Sequence, residues 1–222
     1  MNKSPNFSKG TRKKVGYIIH GTLGNYEGAI DWLCTPPNKR PVVSYSSAHY
    51  IISKDGRMEQ LIDDNDIAWH AGNISNPTDR AKSLLPMENG KFLNPNESFI
   101  GIELEWFLGD KITEEQYAKI IEIIIKGGIQ NPKIFCHKEI TDYKTDFQDE
   151  NGAIDYKIVQ EINSRYGNFA IKETLPAHYV KLMQAVKEFQ LAEHITVFAN
   201  ETDMSKIRLG PATQSAIAKY QR

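Results

Sequence analysis

The chain of 222 residues has only two cysteines, Cys34 and Cys136, which excludes a disulfide framework and leaves at most one bridge. Cys34 follows Trp32-Leu33 on an expected helix face and reads as a buried thiol. No apolar run approaches the length that spans a bilayer. The opening Met1-Asn2-Lys3-Ser4-Pro5 lacks the hydrophobic stretch of a secretory signal, so the chain as it stands is expected to be cytoplasmic when made. Charge of one sign is also missing. Lys and Arg number 27 against 28 Asp and Glu, a net charge of -1, which implies neither a nucleic-acid partner nor a membrane surface. The basic cluster Lys9, Arg12, Lys13 and Lys14 lies in a polar stretch, and residues 1–14 are expected to form a flexible, solvated tail. There is no internal repeat and no low-complexity tract. Hydrophobic residues at 40% and charged residues at 25% are what a globular core of one or two domains requires.

Val15 to His20 is an apolar run ending in an imidazole, followed by Gly21-Thr22, and reads as a buried strand with His20 at its exit. Tyr26 to Leu33 reads as a helix stopped by Pro36-Pro37, and Ser47 to Lys54 as a strand turned by Asp55-Gly56 into a partner at Arg57 to Ile62. Residues 73 to 97, rich in Asn, Pro, Gly and Ser, are expected to be one long loop. Ser98 to Trp106 alternates, with Ile100, Ile102 and Leu104 on one side and Gly101, Glu103 and Glu105 on the other. Thr113 and Gln116 make a capping box for a helix whose apolar face is Tyr117, Ile120, Ile121 and Ile124, ended by Gly127-Gly128. Lys133 to His137 is a short strand and Ile154 to Tyr166 an amphipathic helix. The alternation predicts an α/β fold, a mixed central β-sheet flanked by helices, over 15–167. A linker at 168–176 and a small all-α C-terminal module at 177–222 follow.

Of the six histidines, His20 and His137 share a context, since each ends an apolar strand. Asp146 follows His137 closely. Two strand-end histidines and a carboxylate can supply three ligands to a tetrahedral zinc and leave the fourth position to water. The three are scattered, with no HxxxH or CxxC element, so two ordinary packed histidines satisfy the spacing as well. Glu103 and Glu105 share a strand face and cannot be ranked by pattern. Trp69-His70 before the long loop offers an aromatic and an imidazole to a cleft, or a packed indole beside a surface histidine.

The segments IIHGT (18–22), SAHYIISKDG (47–56), AWHAGN (68–73), SFIGIELEW (98–106) and CHKEITDYKTD (136–146), in that order, resemble the zinc-dependent N-acetylmuramoyl-L-alanine amidases of the type-2 family. That family includes phage lytic enzymes, muropeptide-recycling enzymes and peptidoglycan recognition proteins. The resemblance implies Zn2+ held by His20, His137 and Asp146, Glu103 as the catalytic acid and base, and Lys144 as the stabiliser of the oxyanion. Trp69, His70 and Asn73 are then candidates for the wall that holds sugar or stem peptide. Two departures stand out. Many members place Pro-Gly after the third ligand, where this chain has Phe147-Gln148 before an inserted loop at Gln148 to Ala153. The phage-type catalytic tyrosine is replaced by Ala48. The segment LGPATQSAIAKYQ (209–221), preceded by VKEFQ (186–190), is similar to a small peptidoglycan-binding module.

The resemblance implies a hydrolase that cleaves the bond between N-acetylmuramic acid and L-alanine, with peptidoglycan or muropeptides as partner. A non-catalytic recognition protein on the same fold, or a zinc amidase acting on another acylated peptide, are the competing readings. A phage endolysin, a recycling enzyme and a secreted antibacterial effector share the pattern, the last reaching the wall by dedicated secretion and calling for an immunity protein.

Overall fold

The structure, a computed structural model, describes residues 3–10, 12–149 and 151–174. Its first element overturns the expected free tail. Strand β1 (Phe7–Ser8) pairs antiparallel with a short strand at Ile67–Ala68. Ser4 Oγ and Asn6 Nδ2 donate to the Leu33 carbonyl at 2.6 and 2.8 Å, and Asn6 Nδ2 also donates to Thr35 O at 3.0 Å. Leu33 lies in the last turn of helix α1 (Tyr26–Cys34), where carbonyls have no partner within the helix. The polar segment is therefore ordered because it satisfies another element's backbone. Lys9 pairs with Asp66, and Lys14 is buried with its Nζ donating to Asn96 O at 3.1 Å.

The apolar runs form a five-stranded sheet from β2 (Gly16–Gly21), β3 (Tyr50–Ile52), β4 (Met58–Gln60), β8 (Phe99–Leu104) and β9 (Lys133–Cys136), in the order β4-β3-β8-β2-β9. Only β4 is antiparallel to its neighbour; β3, β8, β2 and β9 run parallel. Every residue of β2 is buried, as a central parallel strand covered on both faces requires. The register sets His20 beside Glu103 and Ile18 beside Gly101. The ladder at β3 is shorter than the strand expected over Ser47 to Lys54.

One sheet face carries Tyr17, Ile19, Ile100, Ile102, Leu104 and Ile134 into a core with helix α4 (Glu114–Gly127) and helix α6 (Lys157–Thr174). Thr113 and Gln116 close the expected capping box, worth about 1 kcal/mol. The buried apolar positions of α4 are Ile120, Ile123 and Ile124, with Tyr117 and Ile121 only partly covered, so the buried stripe is turned slightly from the expected one. Each fully buried isoleucine stabilises by roughly 2 kcal/mol. The other face is covered in two patches. Helix α1 packs on Ile51 and Leu61, while Ala81 and Leu85 join Ile18, Phe99, Phe135 and Ile140.

The expected long loop at 73–97 is structured. Strand β5 (Ile67–Ala68) precedes it, and the segment itself holds helix α2 (Asp79–Leu84) capped by Thr78, a hairpin of β6 (Met87–Glu88) and β7 (Lys91–Phe92), and the start of the short helix α3 (Pro95–Ser98). The hairpin turns on Asn89-Gly90, both at positive φ (50° and 74°), a two-residue turn whose twist matches its strands. Helix α5 (His137–Ile140) follows β9 at once. Two compact units divide at Tyr166 and Gly167. Helix α6 runs through Gly167 to Thr174, where a linker was expected from Asn168. The expected helical, peptidoglycan-binding module at 177–222 lies outside the described residues. Among those described, no helix is long and apolar enough to cross a membrane.

Candidate metal centre

Parallel strands aim their C-terminal ends the same way, so residues leaving β2, β8 and β9 meet at one edge of the sheet. His20 is the penultimate residue of β2, and His137 opens α5 directly after β9. Asp146 arrives from the loop beyond α5 and is tied down by the backbone at the end of β2, its Oδ1 accepting from Gly21 N–H at 3.1 Å. Its Oδ2 lies 3.5 Å from His137 Nδ1. The His20 and His137 ring centroids are 4.6 Å apart. One donor atom from each of His20, His137 and Asp146 falls within 4.8 Å of the others, and all three residues are buried. Two imidazole nitrogens and a carboxylate oxygen at that separation form a group that could hold a metal ion.

The electrostatics suit such a role. Burial first, then the His137, His70 and Lys144 charges, hold the His20 imidazole well below its ordinary value. Burial and then Lys144 do the same to His137. Both rings are kept neutral, the form that ligates a metal. Burial raises Asp146, opposed by the Gly21 N–H and by Lys144. A cation among them would reverse that preference and keep the carboxylate ionised.

Glu103 stands next to His20 across the β8–β2 ladder. Burial, then the neighbouring Asp146, push its carboxyl up to about 8, against the pull of the Lys144 ammonium. Glu105 is separated from it by its partners. Its Oε2 accepts from Lys54 N–H at 2.9 Å and its carbonyl accepts from Gln116 Nε2 at 3.0 Å. Glu105 thus joins a loop to the start of α4 and leaves Glu103 as the carboxylate beside the group that could hold a metal. Lys144 is half-buried; its carbonyl accepts from Lys138 Nζ at 2.8 Å, and its own ammonium lies 5.8 Å from the Tyr143 ring centroid.

Trp69, His70 and Asn73 have different surroundings. The Trp69 indole donates to Ser8 Oγ at 3.2 Å and meets the Tyr45 ring edge-on. Asn73 is exposed and lines a cleft with Gly72, Ile74, Phe92, Leu93 and Asn94. His70 is instead hydrogen-bonded to His20, with His20 Nε2 and His70 Nδ1 3.0 Å apart.

Two supports were not visible in the sequence. Buried Glu139 in α5 accepts from the Cys136 N–H at 3.0 Å and from Arg80 Nη1 of α2 at 2.5 Å, while Arg80 Nη2 donates to Ile134 O at 2.8 Å. This ion pair locks the turn that carries His137. On the other flank, Phe147 follows Asp146 in the left-handed region (φ 55°), its ring buried edge-on to Trp106 at 5.2 Å. No local signal announces either, because each depends on partners far along the chain.

Known proteins resemble this chain over part of its length. N-acetylmuramoyl-L-alanine amidase A of Achromobacter lyticus is 35% identical over 71 residues, 32% of this chain and 37% of that one. The 1,6-anhydro-N-acetylmuramyl-L-alanine amidase AmpD of Haemophilus influenzae is 38% identical over 100 residues, 43% of this chain and 47% of that one. The chain thus spans less than half the length of these curated relatives. A solved structure of a selenomethionine AmpD derivative has the same fold, with a TM-score of 0.52 at 20% identity over 72% of this chain and 91% of that one. The family model for N-acetylmuramoyl-L-alanine amidase matches residues 11–149, which take in the whole five-stranded sheet and the His20, His137 and Asp146 group, and the chain belongs to that family.

Proposed function

We propose that the protein is a zinc-dependent hydrolase that cleaves the amide between the lactyl group of N-acetylmuramic acid and the L-alanine of the peptidoglycan stem peptide. The observation that carries this reading is the His20, His137 and Asp146 donor group within 4.8 Å, with Glu103 beside His20 in register. Two nitrogens and one oxygen from three residues match the donor set of catalytic zinc sites, which keep a position open. A zinc ion held by these residues supplies Lewis acidity toward the amide carbonyl and toward water.

The chain's own groups supply the rest. Glu103 takes a proton from the attacking water as the new C–O bond forms. A carboxyl whose affinity for protons is raised by burial is suited to hold that proton until the C–N bond breaks, then to deliver it to the leaving nitrogen. The products are the muramic carboxylate and a peptide with a free α-amino group. Lys144 places its ammonium near the developing oxyanion, a contribution of about 3 kcal/mol. Asn73 and its cleft are the part of the expected substrate wall that the geometry supports.

The test is incubation of the zinc-loaded protein with purified sacculi, with mass spectrometry of the soluble products. Stem peptides beginning with a free L-alanine amine are the expected result. Binding to sacculi without release would establish a recognition protein instead, and cleavage only of a non-sugar acylated peptide would move the substrate class.

A further inference from the structure

We propose that His70 is a positioning residue that fixes the tautomer of His20, so that His20 presents Nδ1 as its metal-binding atom; the inference rests on the metal reading above. The Phe99 carbonyl can only accept, and it lies 3.3 Å from His70 Nε2. His70 Nε2 therefore carries the ring proton, and in a neutral imidazole Nδ1 must then be the acceptor. His20 Nε2, 3.0 Å from that acceptor, must be the donor. The remaining nitrogen of His20, Nδ1, is left with its lone pair free for a ligand bond. A backbone carbonyl on β8 thus dictates, through two rings, which nitrogen of a β2 histidine is available.

The relay is built to hold its geometry. Asn96 Oδ1 accepts from His70 N–H at 2.9 Å and from Ala71 N–H at 2.7 Å, fixing the turn that bears the ring. Lys14 Nζ donates to the Asn96 carbonyl at 3.1 Å, which makes the buried N-terminal lysine part of the same support. His49 flanks the His70 ring edge-on at 5.7 Å, its own tautomer set by Gly101 N–H donating to Nδ1 at 2.9 Å. Gly101 is required by this packing. A Cβ there would stand 2.5 Å from His70 Cγ and 2.7 Å from His70 Nδ1. Outer partners that orient a metal-ligating histidine typically change metal affinity about 10- to 100-fold when removed.

The experiment uses the full chain. Long-range proton–nitrogen NMR on the chelator-treated wild type reads the His20 tautomer directly, and chelator competition reads zinc affinity in wild type, His70→Phe and His70→Gln. The expected result is a proton on His20 Nε2 and zinc binding weakened about 10- to 100-fold by His70→Phe, at an unchanged far-UV spectrum. His70→Gln, whose carboxamide can both accept from His20 and donate to Phe99, should stay within about threefold of wild type. If His70→Phe does not fold, Gly101→Ala serves in its place by displacing the ring, with the same expected weakening. A wild-type His20 protonated on Nδ1, or zinc binding indifferent to His70→Phe, overturns the inference. A wild type that takes up no zinc overturns the metal reading itself, and is distinguishable because the tautomer is read without metal.

Discussion

Glu103→Gln separates catalysis from stability in one substitution. In the folded protein burial and the Asp146 carboxylate push Glu103 up to about 8, from an ordinary value of 4.5. The folded state therefore holds a proton on this carboxyl over a range in which the unfolded chain has lost it. Stability from this group is fully present below 4.5 and is lost as pH rises toward 8. At about 1.4 kcal/mol per pH unit the interval amounts to about 5 kcal/mol. The side chain is only partly closed off from solvent, so about half of that, 2–3 kcal/mol, is the expected size. Glutamine has the same shape and no proton to lose. In urea unfolding of the chelator-treated proteins, Glu103→Gln should gain about 2–3 kcal/mol on wild type between pH 4.5 and pH 8.5. Groups common to both proteins, Asp146 among them, cancel in that difference to first order. With zinc restored, the same variant should lose amidase activity by about 100- to 10,000-fold. Parallel pH profiles for the two proteins would refute the claim that Glu103 is desolvated, whatever the activity showed.

Asp146→Ala removes one donor and its bond to Gly21, and should lose both zinc and activity; a variant that retains stoichiometric zinc by elemental analysis and still cleaves sacculi would sink the ligand assignment. Arg80→Ala leaves Glu139 buried without its cation and should cost about 3 kcal/mol in denaturant unfolding, together with weaker zinc binding through the displaced His137 turn. Phe147→Ala should cost about 3–5 kcal/mol by deleting a buried ring. Phe147→Gly should cost about 1 kcal/mol less than the alanine variant, because glycine alone adopts the left-handed backbone without penalty, and the reverse order of melting temperatures would show that φ there is not a constraint.

Much of the scaffold was legible along the chain. The capping box at Thr113, the buried run ending at His20 and the alternation around Glu103 are local patterns, and each element formed where its pattern lay. Other features are local yet sit in a segment expected to be loop, such as the Asn89-Gly90 turn. Glu103 and Glu105 could not be separated by alternation, since period two places them on one face. The structure separates them because Glu105 lies past the end of β8 and turns to Lys54 and Gln116. The expected free tail failed for a different reason. Its polar residues have little local preference, and their order comes from orphan carbonyls in α1 and a strand edge at Ile67–Ala68.

The sequence by itself determined the kinds of element, their order and the donor types on offer, because periodicity, caps and turn residues act within a few positions. It also carried the ordered motifs of the amidase family. Only the tertiary structure decided that His20, His137 and Asp146 converge, and that His70 stands behind His20 as a hydrogen-bond partner while Asn73 lines a cleft with Phe92 and Asn94. Those outcomes depend on parallel strand register and on hydrogen bonds such as Gly21 to Asp146, between groups 125 residues apart. No local pattern encodes such a pairing; it appears when the sheet closes and one carboxylate becomes the best available partner for a buried N–H.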